Sequence, residues 1–418
     1  MFYGWWILTL GFLGSAFYGA TIFYGFTAYF NPLVEEFGWS YTAISLVASF
    51  RGLESGLMEF PVGLLLDRFG SRRIVFVCCI LIGLSFIALS IINSLVQFYL
   101  IFILIFLGGS GLGPVFITYI ISQWFRKRFG LAFGIAMVGY GAGGFAVPMI
   151  VYLLDSVGLR NTFIIFGVAA CILSIIMVGL LRNKPEDIGC NPDGLPEEEI
   201  QGTATDIYTG ISAANASNRD YSLRETLSDR SFWILIYVGA AILFSVFMVV
   251  THVMPYLEDM GYIRGMAGII AMMIPVVSIV GRLGFGWVSD LTSSKTILIA
   301  GVILQAVGVL LFLNAQLPFI LVPFVILFGI AYGGNLVIRL RILRDYYGKG
   351  KIASISGFYV SSTLVLSFFS PLLAGFIFDR SGSYSIAWIV NIALLIIGLL
   401  LLLFIRNPQT NLNMCNLD

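Results

Sequence analysis

The sequence predicts an all-α integral membrane protein of twelve transmembrane helices in two pseudo-symmetric six-helix bundles. Of its 418 residues, 59% are hydrophobic and only 11% are charged, whereas soluble domains have about 45–50% apolar and about 25% charged residues. Twelve apolar runs are each about 20 residues long or longer, enough to cross a bilayer as a helix. A polar stretch separates the first six runs from the last six, and short motifs recur in both halves.

The twelve predicted spans are separated by short polar segments. They cover residues 6–30, 41–66, 74–93, 96–122, 130–154, 162–181, 231–255, 266–289, 296–314, 318–340, 352–378 and 384–405. The long polar stretch at 182–225 is rich in Pro, Gly, Asn and acidic residues, which predicts a cytoplasmic linker. The expected domains are an N-terminal bundle at 1–182, a linker at 183–228 and a C-terminal bundle at 229–418.

Basic residues indicate the orientation in the membrane. Most of the 23 lysines and arginines, Arg339 among them, fall at the side that holds both termini, whereas the opposite loops hold only Arg160, Arg264 and Arg380. The positive-inside rule therefore predicts a multi-pass protein of the cell membrane with both termini in the cytoplasm. A net charge of +1 without a dense basic stripe argues against a nucleic-acid partner, and we expect a monomer in the lipid bilayer.

A Gly-x-x-x-Asp pattern recurs at the ends of three predicted spans. It occurs in PVGLLLDRFGSRR (61–73), GFGWVSD (284–290) and AGFIFDRSG (374–382). Charges at a span end can pair with a neighbouring helix end in one access state only, which predicts a gate; a turn that merely satisfies the positive-inside rule is the alternative. The candidate gating residues are Asp67, Arg68, Arg72, Arg73, Asp290, Asp379 and Arg380.

The segment GLLLDRFGSRR, with its weaker copy after span eight, resembles the signature loop of the major facilitator superfamily. The span number, the linker and the duplicated six-helix unit extend this resemblance over the whole chain. Three further segments, YGWWILTLGFL, YFNPLVEEFGWSYTAISLVASF and GLGPVFITYIISQWFRKRFGLAFGIAMVGYGAGG, resemble the monocarboxylate and oxalate/formate transporter branch. The resemblance implies the major facilitator fold, a signature cluster that stabilises the outward-open state and a substrate site near the bilayer midplane.

Arg282 places a permanent charge within the apolar run IPVVSIVGRLGFGWVSD. A charge deep in the bilayer costs at least about 2.5–3.5 kcal/mol, so it is normally paired or faces a wet cavity. Arg282 can be a structural guanidinium bonded to helix carbonyls, or it can bind a carboxylate through its planar fork of donors. The family resemblance supports the second role, because that family carries a substrate-anchoring arginine in its eighth helix. Some members place an Asp one turn earlier, where this chain has Ser278.

Three residues are candidates for proton coupling. Arg51 and Glu54 lie three residues apart and so share a face of span two; they can form an internal ion pair that fixes packing, or Glu54 can take up a proton when its partner moves. His252 is the single histidine, and the ordinary histidine pKa of about 6.5 suits proton-linked uptake. A hydrogen-bonded packing histidine is the alternative.

An amphipathic cavity wall needs aromatic rings and hydroxyl groups. Besides Arg282 and His252, the candidate substrate contacts are Tyr119, Tyr332, Asn335, Phe358, Tyr359 and Ser362; each can equally serve helix packing. The glycines at 139–144 lie inside span five without a preceding strand, which indicates close helix packing rather than phosphate binding. No Walker sequence and no metal-ligand spacing of cysteines occurs, so we expect neither cofactor nor metal.

These patterns predict a secondary active transporter of small organic anions, working by proton symport or anion exchange, and not an enzyme. The alternatives are a carrier of the same fold for a drug or a sugar, and a non-transporting membrane sensor or enzyme. If Glu54 neutralises Arg51, Arg282 is the one uncompensated cation within the spans. A monocarboxylate would then leave the site neutral, whereas a dianion such as oxalate would bury an unpaired charge.

Overall fold

A computed structural model describes most of the chain. It covers residues 2–125, 129–191, 221–289, 291–348, 352–405 and 408. Within these ranges, the side chains of residues 52–60, 63, 67, 115, 129–131, 352–354 and 366 are not described. The predictions for the side chains of Glu54 and Asp67, and for Asp290, therefore fall outside the described residues.

The N-terminal half consists of helices α1 to α8. They are α1 (Gly4–Tyr18), α2 (Phe26–Phe37), α3 (Tyr41–Phe69), α4 (Ser71–Leu89), α5 (Leu95–Gly109), α6 (Pro114–Trp124), α7 (Phe129–Ala142) and α8 (Val147–Leu180). A π-helical turn, Gly19–Tyr24, joins α1 to α2. Gly158 breaks α8 with a φ of 82°, so the run contains two helical segments that meet at a kink.

The C-terminal half consists of helices α9 to α16. They are α9 (Leu223–Ser228), α10 (Arg230–Asp259), α11 (Arg264–Val288), α12 (Ser294–Leu313), α13 (Leu321–Tyr347), α14 (Ile352–Ser367), α15 (Phe369–Ser381) and α16 (Ser385–Leu403). No strand occurs in the described residues, and the prediction of an all-α membrane protein is confirmed.

Ten helices within the described residues are long and apolar enough to cross a membrane. The difference from twelve predicted spans has two sources. Predicted spans five and six fall into one helical run, Ala132–Leu180, which contains the kink at Gly158. Span two corresponds to α3, where residues 52–60 fall outside the search because their side chains are not described.

The chain divides into two compact units. The first comprises Met1–Trp39 and Leu53–Ala216, and the second comprises Ser40–Gly52 and Ser217–Asp418. The beginning of α3 therefore belongs to the C-terminal unit, whereas the rest of that helix belongs to the N-terminal unit. We call Ser40–Gly52 the docked segment.

In the first unit, α1 and α7 approach closely at the glycine-rich sequence of span five. A side chain at Gly139 or Gly143 would collide with the backbone of α1 or of the π-helical turn that follows it. Ser15 adds a hydrogen bond of 2.9 Å from its Oγ to the carbonyl of Ala136. These glycines therefore serve helix packing.

Candidate substrate site and its surroundings

Arg282 lies on α11, six residues before the end of that helix at Val288. At 1.5 Å per residue, it is about 9 Å from the helix end. Its side chain is partly buried, and its Nε is buried without a hydrogen-bond partner in the described part of the chain. Ser278, one turn earlier, is fully buried and donates its hydroxyl to the Pro275 carbonyl at 2.7 Å. The hydroxyl of Ser278 is thus satisfied within its own helix.

Glycines bring α13 against the backbone beside Arg282. A Cβ at Gly333 would overlap the carbonyl of Ser278 and lie 3.0 Å from the backbone nitrogen of Arg282. A Cβ at Gly281 would likewise overlap the carbonyl of Ile330. Because neither glycine carries a side chain, the two helices pack backbone to backbone, and the turn of α13 at Tyr332–Gly333 lies level with Arg282.

Asn335 ties α13 to two neighbouring helices. Its Nδ2 donates to Gln305 Oε1 of α12 at 2.8 Å, and Gln305 Nε2 donates to the Ile242 carbonyl of α10 at 3.0 Å. Asn335 and Gln305 are both fully buried. Gln305 is not among the residues predicted from the sequence, although a glutamine within an apolar run is a signal for such a network.

Tyr332 and Tyr359 lie near Arg339, a residue that the sequence pattern assigns to the inner membrane surface. Arg339 lies within α13, eight residues before its end at Tyr347, or about 12 Å from that end. Both tyrosines are buried and close enough to interact electrostatically with the guanidinium. Predicted span ten ends at residue 340, whereas α13 continues to Tyr347, so Arg339 is followed by two further turns of helix.

Phe358 and Ser362 line a cavity of about 510 Å³ between α10 and α14, which is open to the surface beside the exposed Val365. Trp233 and Tyr237 contribute from α10, and the wall is almost entirely apolar. A volume of this size is within the range of small-molecule sites, about 300–1,000 Å³. Tyr359 points elsewhere, with its hydroxyl against Gly239 of α10.

His252 is fully buried and joins α10 to three other segments. Its Nε2 lies 3.0 Å from the Pro371 carbonyl and 3.4 Å from Ser45 Oγ of the docked segment, and its Nδ1 lies 3.1 Å from the Tyr384 hydroxyl. A carbonyl can only accept, so Nε2 carries the proton and Nδ1 of the neutral ring accepts from Tyr384. The structure therefore gives His252 a packing arrangement in which proton uptake would require Tyr384 to reverse its hydrogen bond.

Asp379 caps the first turn of α3. Its carboxylate accepts from the backbone N–H of Tyr41 at 3.0 Å and of Thr42 at 2.8 Å, and from the Thr42 hydroxyl. An anion at a helix N-terminus satisfies free N–H groups and interacts favourably with the helix dipole. Gly375, one turn earlier on α15, has no room for a side chain beside Tyr41 and Ser45. The third copy of the Gly-x-x-x-Asp motif thus holds the docked segment.

Arg51 is buried at the end of the docked segment, with a relative exposure of 3%. Its Nη2 lies 3.5 Å from Thr251 Oγ1, and its guanidinium lies 5.9 Å from the ring centre of Phe247. Both partners belong to α10, next to His252. Arg51 therefore helps to join α3 to α10. The predicted ion pair between Arg51 and Glu54 stays a prediction, because the side chain of Glu54 falls outside the described residues.

The other candidate gating arginines lie at helix ends. In the first unit, Arg72 Nε donates to the Val178 carbonyl at 2.8 Å, near the end of α8, and Arg68 lies over the Phe69 ring. Arg73 is exposed. In the second unit, Arg380 is exposed and lies over the ring of Phe376.

The candidate residues do not form a single cluster in the second unit. Arg282 and Tyr332 belong to the α11–α13 packing, Phe358 and Ser362 line the apolar cavity, and His252 of α10 contacts the docked segment. Tyr119 is a partly buried residue of α6, in the first unit.

Comparison with known proteins decides the family. A family model described as "Major Facilitator Superfamily" matches residues 11–293 and 263–413. The chain belongs to the major facilitator superfamily. A relative from Bos taurus, "Monocarboxylate transporter 13", is 26% identical over 94% of this chain and 88% of its own length. The "Uncharacterized MFS-type transporter YcxA" of Bacillus subtilis (strain 168) is 24% identical over 90% of this chain and 88% of its own length.

Solved structures confirm the major facilitator fold. A bacterial homologue of the human lysosomal transporter Spinster, in an inward-facing and unoccupied conformation, superposes with a TM-score of 0.74 at 17% identity, covering 96% of each chain. A D-xylose–proton symporter gives the same TM-score at 13% identity, covering 97% of this chain and 99% of its own. At these identities the likeness concerns the superfamily's fold alone.

Proposed function

We propose that this protein is a secondary active transporter of small carboxylates, monocarboxylates foremost among them, and that Arg282 binds the carboxylate. The observation that carries the proposal is the partly buried guanidinium of Arg282, whose Nε has no partner in the described residues. A buried donor left unsatisfied costs free energy that a ligand can recover, and a planar guanidinium fork matches a carboxylate. The similarity to monocarboxylate transporters at 26% identity supports the same substrate class.

Transport in this proposal is driven by an ion gradient, by proton symport or by anion exchange. Glu54 and His252 are the proposed proton-coupling groups, with Arg51 as the charged partner of Glu54. The contacts of His252 support a coupling role through the docked segment, because a change in its protonation would alter its bond to Tyr384. Tyr119, Tyr332, Asn335, Phe358, Tyr359 and Ser362 are proposed to shape the substrate path.

The proposed transport cycle is alternating access between bundles at 1–182 and 229–418, joined by the linker 183–228, with both termini in the cytoplasm. Asp379 and Arg72 support a gating role for the predicted charged residues, since each bonds a helix end. For Asp67, Arg68, Arg73, Asp290 and Arg380, the proposal rests on the sequence pattern.

A carrier for another substrate class is the competing proposal, and the apolar cavity at Phe358 favours a lipophilic compound over a sugar. Counterflow into liposomes separates the possibilities. Purified protein would be loaded in turn with unlabelled lactate, benzoate, glucose and a lipophilic cation, and uptake of the matching labelled compound measured. We expect counterflow with the carboxylates. Counterflow with glucose or the cation alone would contradict carboxylate transport, and no counterflow with any compound would favour a non-transporting protein.

A further inference from the structure

We infer that Arg339 is a second anion-binding group of the transport site, and that the site accepts short dicarboxylates as well as monocarboxylates. This inference rests on the proposed function and extends its substrate class. Arg339 Nε and Nη1 are both buried and have no hydrogen-bond partner among the residues that the structure describes. An arginine cannot lose its charge to escape this cost, as a lysine can. A ligand that supplies anionic oxygen atoms would satisfy these donors.

The second unit offers Arg339 no carboxylate partner from its helix interiors. Its acidic residues between 221 and 405 are Glu225, Asp229, Glu258, Asp259, Asp290, Asp345 and Asp379. Asp290 falls outside the described residues, and each of the others lies within three residues of a helix end or outside a long helix. Asp345, six residues after Arg339 on the same helix, accepts a hydrogen bond from the Ser294 hydroxyl and lies 3.9 Å from Arg341 Nε. The positive charge of Arg339 therefore has no countercharge at its own depth among the described residues.

The two arginines approach the same turn of α13. The backbone of Arg282 packs against Gly333, and Tyr332 is the preceding residue. Arg339 interacts electrostatically with Tyr332, two helical turns before it. Side chains on a helix lean toward its N-terminus, so the guanidinium of Arg339 leans from its own position toward the level of Arg282.

Charge balance then selects the ligand class. One carboxylate neutralises Arg282 and leaves Arg339 unpaired, whereas a dicarboxylate can neutralise both. The buried side chains of Tyr332 and Tyr359 beside Arg339 lower the local dielectric constant, which strengthens the interaction. The preference for monoanions predicted from the sequence assumed that Arg282 was the one uncompensated cation within the spans, and Arg339 removes that assumption.

The test compares succinate with butanoate, which have the same four-carbon chain and differ in the second carboxylate. Binding to the full-length protein in detergent would be measured by ligand-induced thermal stabilisation, and transport by counterflow. Arg339→Gln should weaken succinate binding about 10- to 100-fold relative to butanoate binding, because the variant loses charge-assisted hydrogen bonds to the second carboxylate. Arg282→Gln should weaken both ligands to a similar degree.

Arg341→Gln is the matched control, since Arg341 is a nearby cation on α13 that donates to Ser289 Oγ at 2.6 Å. It should leave the ratio of the two affinities within twofold of wild type. The Tm without ligand adds a second readout: removing an unpaired buried charge with Arg339→Gln should not lower it.

Each outcome separates the inference from the proposed function. An unchanged succinate-to-butanoate ratio in Arg339→Gln, with wild-type binding of either acid intact, would overturn this inference and leave carboxylate transport standing. A Tm lowered by several degrees together with that unchanged ratio would also overturn it, and would identify a structural arginine. Failure of the wild type to bind either acid would overturn the proposed function and the inference together.

Discussion

Two pairs of polar side chains, in two regions of the second unit, differ in whether the described residues satisfy their hydrogen-bonding groups. Around the docked segment, Asp379 bonds two backbone N–H groups, and both ring nitrogens of His252 have partners. Along α11 and α13, by contrast, Arg282 and Arg339 keep buried donors that no described residue satisfies. Because an unpaired buried donor costs about 1–3 kcal/mol and more when charged, the contacts of Asp379 and His252 can be explained by packing, whereas the donors of Arg282 and Arg339 call for a ligand.

The largest effect should come from removing the guanidinium of Arg282, whose Nε has no partner among the described residues. We expect Arg282→Ala and Arg282→Lys both to reduce carboxylate counterflow at least about 100-fold, because a lysine cannot reproduce the bidentate fork. The Tm of each variant should remain near that of wild type, since no described protein partner is lost. Normal uptake kinetics in the lysine variant would remove Arg282 from the role of anchor.

The second prediction concerns coupling. Glu54→Gln and His252→Gln should each reduce pH-driven accumulation about 10-fold, as expected of a positioned proton-transfer group, while exchange between substrate pools changes less. Accumulation under an imposed pH gradient and exchange at equal pH would be measured on the same liposomes. Asp155→Asn, an exposed acidic residue of the first unit, is the control and should leave both rates unchanged. Equal losses of accumulation and exchange would point to a purely structural role.

The comparison between regions also shows how far the sequence could lead. Helix positions, and the distance of Arg282 from the end of its helix, followed from hydrophobic runs and their ends. The cap from Asp379 joins residues 337 positions apart, and such a contact depends on tertiary packing that no local pattern encodes. The end of predicted span ten at residue 340 came too early, because apolar periodicity fades near a helix end, whereas α13 continues for a further two turns.

The third prediction tests whether the docked segment depends on its cap. Asp379→Ala should lower the free energy needed to open the docked segment by about 1 kcal/mol, which is the usual contribution of a helix N-cap. This change corresponds to an open population about fivefold larger. A cysteine replacing the fully buried Ser45, in a background without the five native cysteines, would report opening through its rate of maleimide labelling.

The neighbouring variant Arg380→Gln provides the control for this third prediction, because Arg380 is exposed and contacts the ring of Phe376. Its labelling rate should stay within twofold of the parent protein. Equal rates in Asp379→Ala and the parent would show that the cap does not hold the segment in place.

The smallest effect on transport should come from a substitution in the apolar cavity, because no charged side chain lines it among the described residues. Phe358→Ala would enlarge the cavity of about 510 Å³, and a bulkier carboxylate could then bury apolar surface that the phenyl ring now occupies. Since a buried CH₂ group contributes about 0.8 kcal/mol, phenylacetate should gain about fourfold over lactate in competition for counterflow. Phe369→Ala, which removes a 56% exposed ring on the next helix, should leave that ratio unchanged. If Phe358→Ala also leaves it unchanged, the cavity lies off the substrate path, and selectivity rests on the arginines alone.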